Sequence, residues 1–164
     1  MAEQRSGLAA AVLGNQLYVC GGFNVQHQLR SVELLDPATS KWTDLPPMSM
    51  RRGRAAAAAV CGLLYVCGGF NGKEQLDSVE RFDPRAGAWE SVQPMLALRG
   101  RAAAASVNGK LYVCGGFDGQ RCLSSLELFD PLGAGWEPLP AMALARVGPA
   151  MGAACEWVSE LCPS

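Results

Sequence analysis

The hexapeptide LYVCGG stands at residues 17–22, 64–69 and 111–116, so its copies recur at a fixed interval of 47 residues. A unit of this length cannot bury its own apolar face and must stack on copies of itself. The interval extends well beyond the hexapeptide. Asp36-Pro37, Asp83-Pro84 and Asp130-Pro131 keep it, as do Trp42, Trp89 and Trp136, and Met48, Met95 and Met142. Arginine recurs at Arg5, Arg52, Arg99 and Arg146. Three units therefore run over about 5–51, 52–98 and 99–145, within a repeat domain of residues 1–154. A fourth unit opens at Arg146, continues as an apolar stretch to residue 154, and then fails. Residues 155–164, CEWVSELCPS, form a tail outside the repeat.

Each unit reads as four short strands. Leu17-Tyr18-Val19 is rich in strand formers and is stopped by Gly21-Gly22. The alanine runs at residues 9–11, 55–59 and 102–105 would suit a helix by propensity alone. They are too short for one, and a strand follows each within a few residues. Gly14-Asn15, Cys61-Gly62 and Asn108-Gly109 sit between the two apolar runs at hairpin spacing. The alanines thus predict a first strand crowded against a neighbouring sheet. A third strand ends at the Asp-Pro turn, where aspartate caps and proline cannot continue a ladder. A fourth carries the tryptophan. The fold class expected is all-β: about three four-stranded antiparallel blades arranged as an open arc of a propeller, plus the first strand of a fourth. The indole is expected to lie over the bare Gly-Gly backbone, so loss of Trp89, in the middle blade, should do most damage. Arg52 and Arg99 are expected to pair with glutamates such as Glu80 and Glu127. The methionines should fill gaps in the core.

Composition narrows the function. The chain is 49% hydrophobic and 18% charged with net charge −1, which excludes disorder and argues against nucleic-acid or anionic-membrane binding. No run approaches the roughly 18 apolar residues of a membrane span. The N-terminus lacks a basic-then-apolar signal, so a cytoplasmic location is expected, with the nucleus as the alternative. Of seven cysteines, Cys20, Cys67 and Cys114 hold one repeat position and read as small buried hydrophobes. There is no CxxC pair, and the single histidine, His27, has no ligand-spaced partner. Neither a metal, a disulfide nor a cofactor is expected. No Ser/His/Asp set or carboxylate pair stands apart from the repeat, so no enzyme is expected. Cys122 beside Arg121 could serve as a redox thiol, but an inert thiol is the favoured reading.

Double glycine, Asp-Pro and tryptophan at these offsets resemble the kelch-repeat family over roughly residues 5–154. The likeness is greatest to the propellers of BTB–kelch proteins, which recruit substrates to cullin-type ubiquitin ligases. The resemblance implies a non-catalytic protein-interaction module that binds a peptide segment of a partner or ubiquitination substrate at its loop face. It further implies that the aromatic after Gly-Gly contacts ligand, at Phe23, Phe70 and Phe117. A polar residue five positions on does so too, at Gln28 and Gln75, whereas the third copy departs from the pattern with Cys122. Residues after the leading arginine contribute at Ser6, Arg54 and Arg101, whereas Gly53, Gly100, Val147 and Gly148 lack a comparable side chain. Arg54 and Arg101 would clamp a carboxylate-bearing peptide. Two other readings stay open: a structural, actin-binding kelch protein, or a truncated isoform with little activity of its own. Six blades are typical of BTB–kelch propellers, and neither a BTB nor a BACK domain accompanies these three. The chain is therefore expected to be an open monomeric arc or a homodimer that completes a six-bladed ring.

Overall fold

The computed structural model describes residues 4–148. Among these residues there are twelve strands of five residues and no helix. They are β1 (Ala9–Leu13), β2 (Gln16–Cys20), β3 (Val32–Asp36) and β4 (Lys41–Leu45) in blade 1. Blade 2 holds β5 (Ala56–Val60), β6 (Leu63–Cys67), β7 (Val79–Asp83) and β8 (Ala88–Val92). Blade 3 holds β9 (Ala103–Val107), β10 (Lys110–Cys114), β11 (Leu126–Asp130) and β12 (Gly135–Leu139). Each blade is an antiparallel meander with its strands in chain order. Of the expected first strand of a fourth blade, over residues 147–154, all but Val147 and Gly148 lies outside the described residues, as does the tail.

The alanine runs form the strands along which the blades converge. β1 packs against β5, and β5 against β9. Only small side chains allow three sheets to approach each other so closely, which is why helix propensity does not decide here. The hairpins that close these strands need a left-handed backbone. Cys61 and Gly62 take φ of 48° and 78°, and Asn108 and Gly109 take 50° and 72°, as two-residue primed turns require.

The core lies between blades. Strand alternation sends Leu64 and Val66 of β6 toward blade 1, where they join Tyr18, Cys20, Val32 and Met48. It sends Tyr65 and Cys67 the other way, toward Leu111, Val113 and Phe129 of blade 3. Cys20, Cys67 and Cys114 are buried as expected, and Met48 and Met95 fill the seams.

Two features tie successive blades, and one corrects the sequence reading. The tryptophans do not cover Gly-Gly. Trp89 packs on Phe82 of its own blade, centroids 5.2 Å apart, and its Nε1 donates to the Pro46 carbonyl of the preceding blade at 2.8 Å. Trp136 repeats this with Phe129 at 5.1 Å and the Gln93 carbonyl at 2.8 Å. The place over the glycines is taken by the incoming chain of the next blade. A Cβ on Gly21 or Gly68 would collide with the carbonyl oxygen of Arg52 or Arg99. That same oxygen accepts from the amide of Gly22 at 2.8 Å or Gly69 at 2.9 Å.

The second tie is ionic. Arg52 is fully buried and its Nε donates to Glu80 Oε1 at 3.0 Å. Its Nη1 donates to the carbonyls of Gly68 and Ser78, both at 2.8 Å. The other carboxylate oxygen of Glu80 accepts from the amide of Ser49, in the segment arriving from blade 1, at 2.7 Å. Arg99, Glu127 and the amide of Leu96 repeat the arrangement, and Arg5 and Glu33 form the pair in blade 1. A buried ion pair is tolerable only when its remaining donors and acceptors are satisfied. For Arg52 and Arg99, backbone carbonyls and the hydroxyls of Ser78 and Ser125 take the remaining guanidinium donors.

Candidate functional site

The loops after the double glycines and the segments after the leading arginines meet at one end of the blades. The amide of Phe70 donates to the Gly53 carbonyl at 2.8 Å and the Gly53 amide donates back at 2.9 Å. Bridges then link Phe70 to Gln75, Phe117 to Gly100 and Cys122, and Phe23 to Ser6 and Gln28. Each loop is stiffened by an acceptor at its start. Asn24 Oδ1 accepts from the amides of Gln26 and His27 at 2.9 and 2.8 Å, and Asn71 does the same for Lys73 and Glu74. In the third copy Asp118 takes this place, and the amides of Arg121 and Gln120 hold its carboxyl below the usual carboxylate range. The side chains are thus presented on ordered backbone.

A column of left-handed residues runs across the blades. Gly7, Arg54, Arg101 and Gly148 have φ of 55°, 56°, 56° and 65°. Arg54 N donates to Gly7 O at 2.6 Å, Arg101 N to Arg54 O at 2.8 Å, and Gly148 N to Arg101 O at 2.7 Å. Glycine occupies the two ends of the column at no steric cost, whereas each arginine holds a conformation that costs an L-residue about 1–2 kcal/mol.

Both arginines line one cavity of about 420 Å³, together with Phe70, Gln75, Phe117, Cys122 and Val147. This is the size range of ligand pockets. None of the seven lining residues is acidic, so the wall carries two uncompensated-by-lining positive charges beside two aromatic rings. Gln75 reaches across the seam, where a Cβ on Gly100 would collide with its Oε1. Gln28 crosses the earlier seam in the same way, over Gly53 and Gly72.

Five of the eight residues singled out from the sequence therefore share this cavity. Ser6, Phe23 and Gln28 form the corresponding group on blade 1 and do not line it. Phe23 still reaches the cavity's edge indirectly, with the Arg54 guanidinium carbon 5.1 Å from its ring centroid. Cys122 and Val147 complete the lining although the sequence reading set both aside. Cys122 falls at the interval of Gln28 and Gln75, and Val147 at that of Gly53 and Gly100, so the repeat register was the signal for both. Among the described residues no group of three or more His, Cys, Asp or Glu could hold a metal ion. The arrangement offers recognition: two guanidinium forks, two aromatic faces and an amide.

The kelch motif matches residues 4–49, 51–96 and 98–143, most of the chain. The Influenza virus NS1A-binding protein homolog of Mus musculus is 43% identical over 54 residues, which cover 33% of this chain and 8% of that protein. The Influenza virus NS1A-binding protein of Homo sapiens is 41% identical over 54 residues, with the same shares. The homolog of Xenopus laevis is 44% identical over 50 residues, 30% of this chain and 8% of that protein. The matched stretch thus covers less than a tenth of the length of these curated relatives.

Proposed function

Since the chain belongs to the kelch-repeat family, whose repeats form protein-interaction modules, we propose that it binds an acidic peptide segment of a partner protein at the loop cavity between blades 2 and 3. The observation that carries this reading is the pair Arg54 and Arg101, held at left-handed positions and lining one cavity with Phe70 and Phe117. Backbone strain of this kind persists where the surrounding fold imposes it, and it gathers at ligand sites. Each guanidinium can grip a carboxylate by two parallel hydrogen bonds, and charge-assisted bonds contribute about 1.5–3 kcal/mol each. The rings supply apolar area for a neighbouring side chain of the ligand, and Gln75 supplies a donor and acceptor for its backbone. The relatives' names record binding to a viral protein, which agrees with a protein partner in general. Recruitment of a ubiquitination substrate is the finer form of the same reading.

The test is fluorescence anisotropy with labelled peptides that carry two or three Asp or Glu residues, against the same peptides as Asn or Gln. The acidic set should bind and weaken as salt rises, since exposed charges are screened over about 10 Å at 0.1 M. Arg54→Ala with Arg101→Ala should cost a hundredfold or more in affinity, about 3 kcal/mol. Equal binding by the neutral set, or by the double variant, would remove the reading.

A further inference from the structure

The two ends of the arc carry the halves of the seams that its interior has already closed. On blade 1 the outward residues are Leu17, Leu35 and Trp42, whose copies Leu64, Phe82 and Trp89, then Leu111, Phe129 and Trp136, pack against the preceding blade. Trp42 is 37% exposed where Trp136 is 8% exposed. On blade 3 the outward residues include Val107 and Tyr112, whose copies Val60 and Tyr65 pack against the following blade. Val107 is 47% exposed where Val60 is 2% exposed. These are not two unrelated apolar faces. They are the two sides of one seam, and the structure shows that seam assembled twice.

The groove at the edge of blade 3 is held by a stand-in. Arg146 O accepts from Gly116 N at 2.8 Å, Arg146 N donates to Leu123 O at 3.0 Å, and Gly148 N donates to Arg101 O at 2.7 Å. Arg52 and Arg54 make the same three bonds at the first seam. The side chain of Arg146 is exposed, unlike those of Arg52 and Arg99. Arg146-Val147-Gly148 matches Arg5-Ser6-Gly7 in its arginine and in its left-handed glycine, with φ of 65° and 55°. One segment can therefore replace the other bond for bond.

We propose that a second copy of this chain seats its blade 1 on blade 3 of the first, its residues 5–7 displacing residues 146–148 from the groove. The hydrogen bonds exchange three for three, and the apolar seam is the net gain. Trp42 Nε1 would then donate to the carbonyl of residue 140 in the other copy, the next position after Pro46 and Gln93 in the same series. Such a contact is head-to-tail, so it either closes or polymerises. Two copies make six blades and lie within the four to eight of closed propellers, whereas three copies make nine. The product is a closed dimer. The exchange touches the edge of the peptide cavity, since Val147 of the displaced segment lines it and Ser6 of the incoming copy holds the same repeat position. The test is read without peptide, so its failure is distinct from a failure of peptide binding.

Sedimentation equilibrium of the full chain over a wide concentration range tests it. The predicted mass at high concentration is twice 17.3 kDa. Trp42→Ala at one end and Val107→Glu at the other should each leave a monomer with an unchanged far-UV spectrum. Their equimolar mixture should regain a dimer at intermediate strength, because one of its two seams is intact. Gly148→Pro removes the amide that holds the stand-in and should shift dimerisation to at least tenfold lower concentration. A monomer throughout the range, a dimer indifferent to both end variants, or variants that fail to complement on mixing would each overturn the proposal. If one end variant does not fold, the other and Gly148→Pro still decide.

Discussion

Arg54 and Arg101 set local stability against recognition. A glycine at either position adopts φ of 56° without strain, although it also frees the unfolded chain by about 0.4–1 kcal/mol. Arg54→Gly and Arg101→Gly should therefore leave Tm unchanged or slightly raised in differential scanning calorimetry. Their acidic-peptide affinity should fall at least tenfold each. The thiols give a second check at this scale. Burial pushes Cys20 and Cys67 up to about 12, whereas Cys61 and Cys122 are exposed. Iodoacetamide at pH 8 should label Cys61 and Cys122 and spare Cys20 and Cys67, as mass mapping would show. Because burial raises the folded-state value, stability from these thiols is complete below the ordinary thiol range. It is lost as pH rises through that range toward 12. The left-handed backbone was partly legible beforehand, since glycine stands at 7 and 148 in the register of the two arginines. The cavity lining was less so. Val147 has little to commend it as a residue type, and only the folded loops bring it beside Arg101.

The element scale is governed by the seams. Glu80 holds Arg52 of its own blade and the Ser49 amide of the chain arriving from the blade before. Glu80→Ala would leave a buried guanidinium without its counter-charge, a loss of about 3–5 kcal/mol. Thermal unfolding should show Tm lower by about 10 °C. The double change Arg52→Met with Glu80→Leu should cost less than Glu80→Ala alone, since no stranded charge remains. The pairing of Arg52 and Arg99 with glutamates 28 positions on was readable from the repeat. The use of the tryptophans was not. Their spacing shows that they recur, but only the neighbouring sheet shows that the indole N–H reaches back to Pro46 and Gln93 while Gly-Gly receives the next blade. The order of sensitivity changes accordingly. Trp136→Ala should cost most, about 3–5 kcal/mol, Trp89→Ala less, and half-exposed Trp42→Ala least. Urea denaturation of the three variants would rank them.

At the scale of the whole molecule, the 47-residue period fixes both the blade and its way of stacking. It builds one loop face, and successive seams repeat the same bonds along the arc. The central claim is that this face, at the cavity between blades 2 and 3, is where a partner is held. The most direct measurement is a two-dimensional amide NMR titration of the labelled chain with an acidic peptide. Shifts should concentrate on Gly53, Arg54, Phe70, Gln75, Arg101, Phe117 and Cys122. The hairpins at Cys61-Gly62 and Asn108-Gly109, at the other end of the blades, should stay unmoved. Shifts centred on those hairpins, with the loop cavity silent at saturation, would contradict the account.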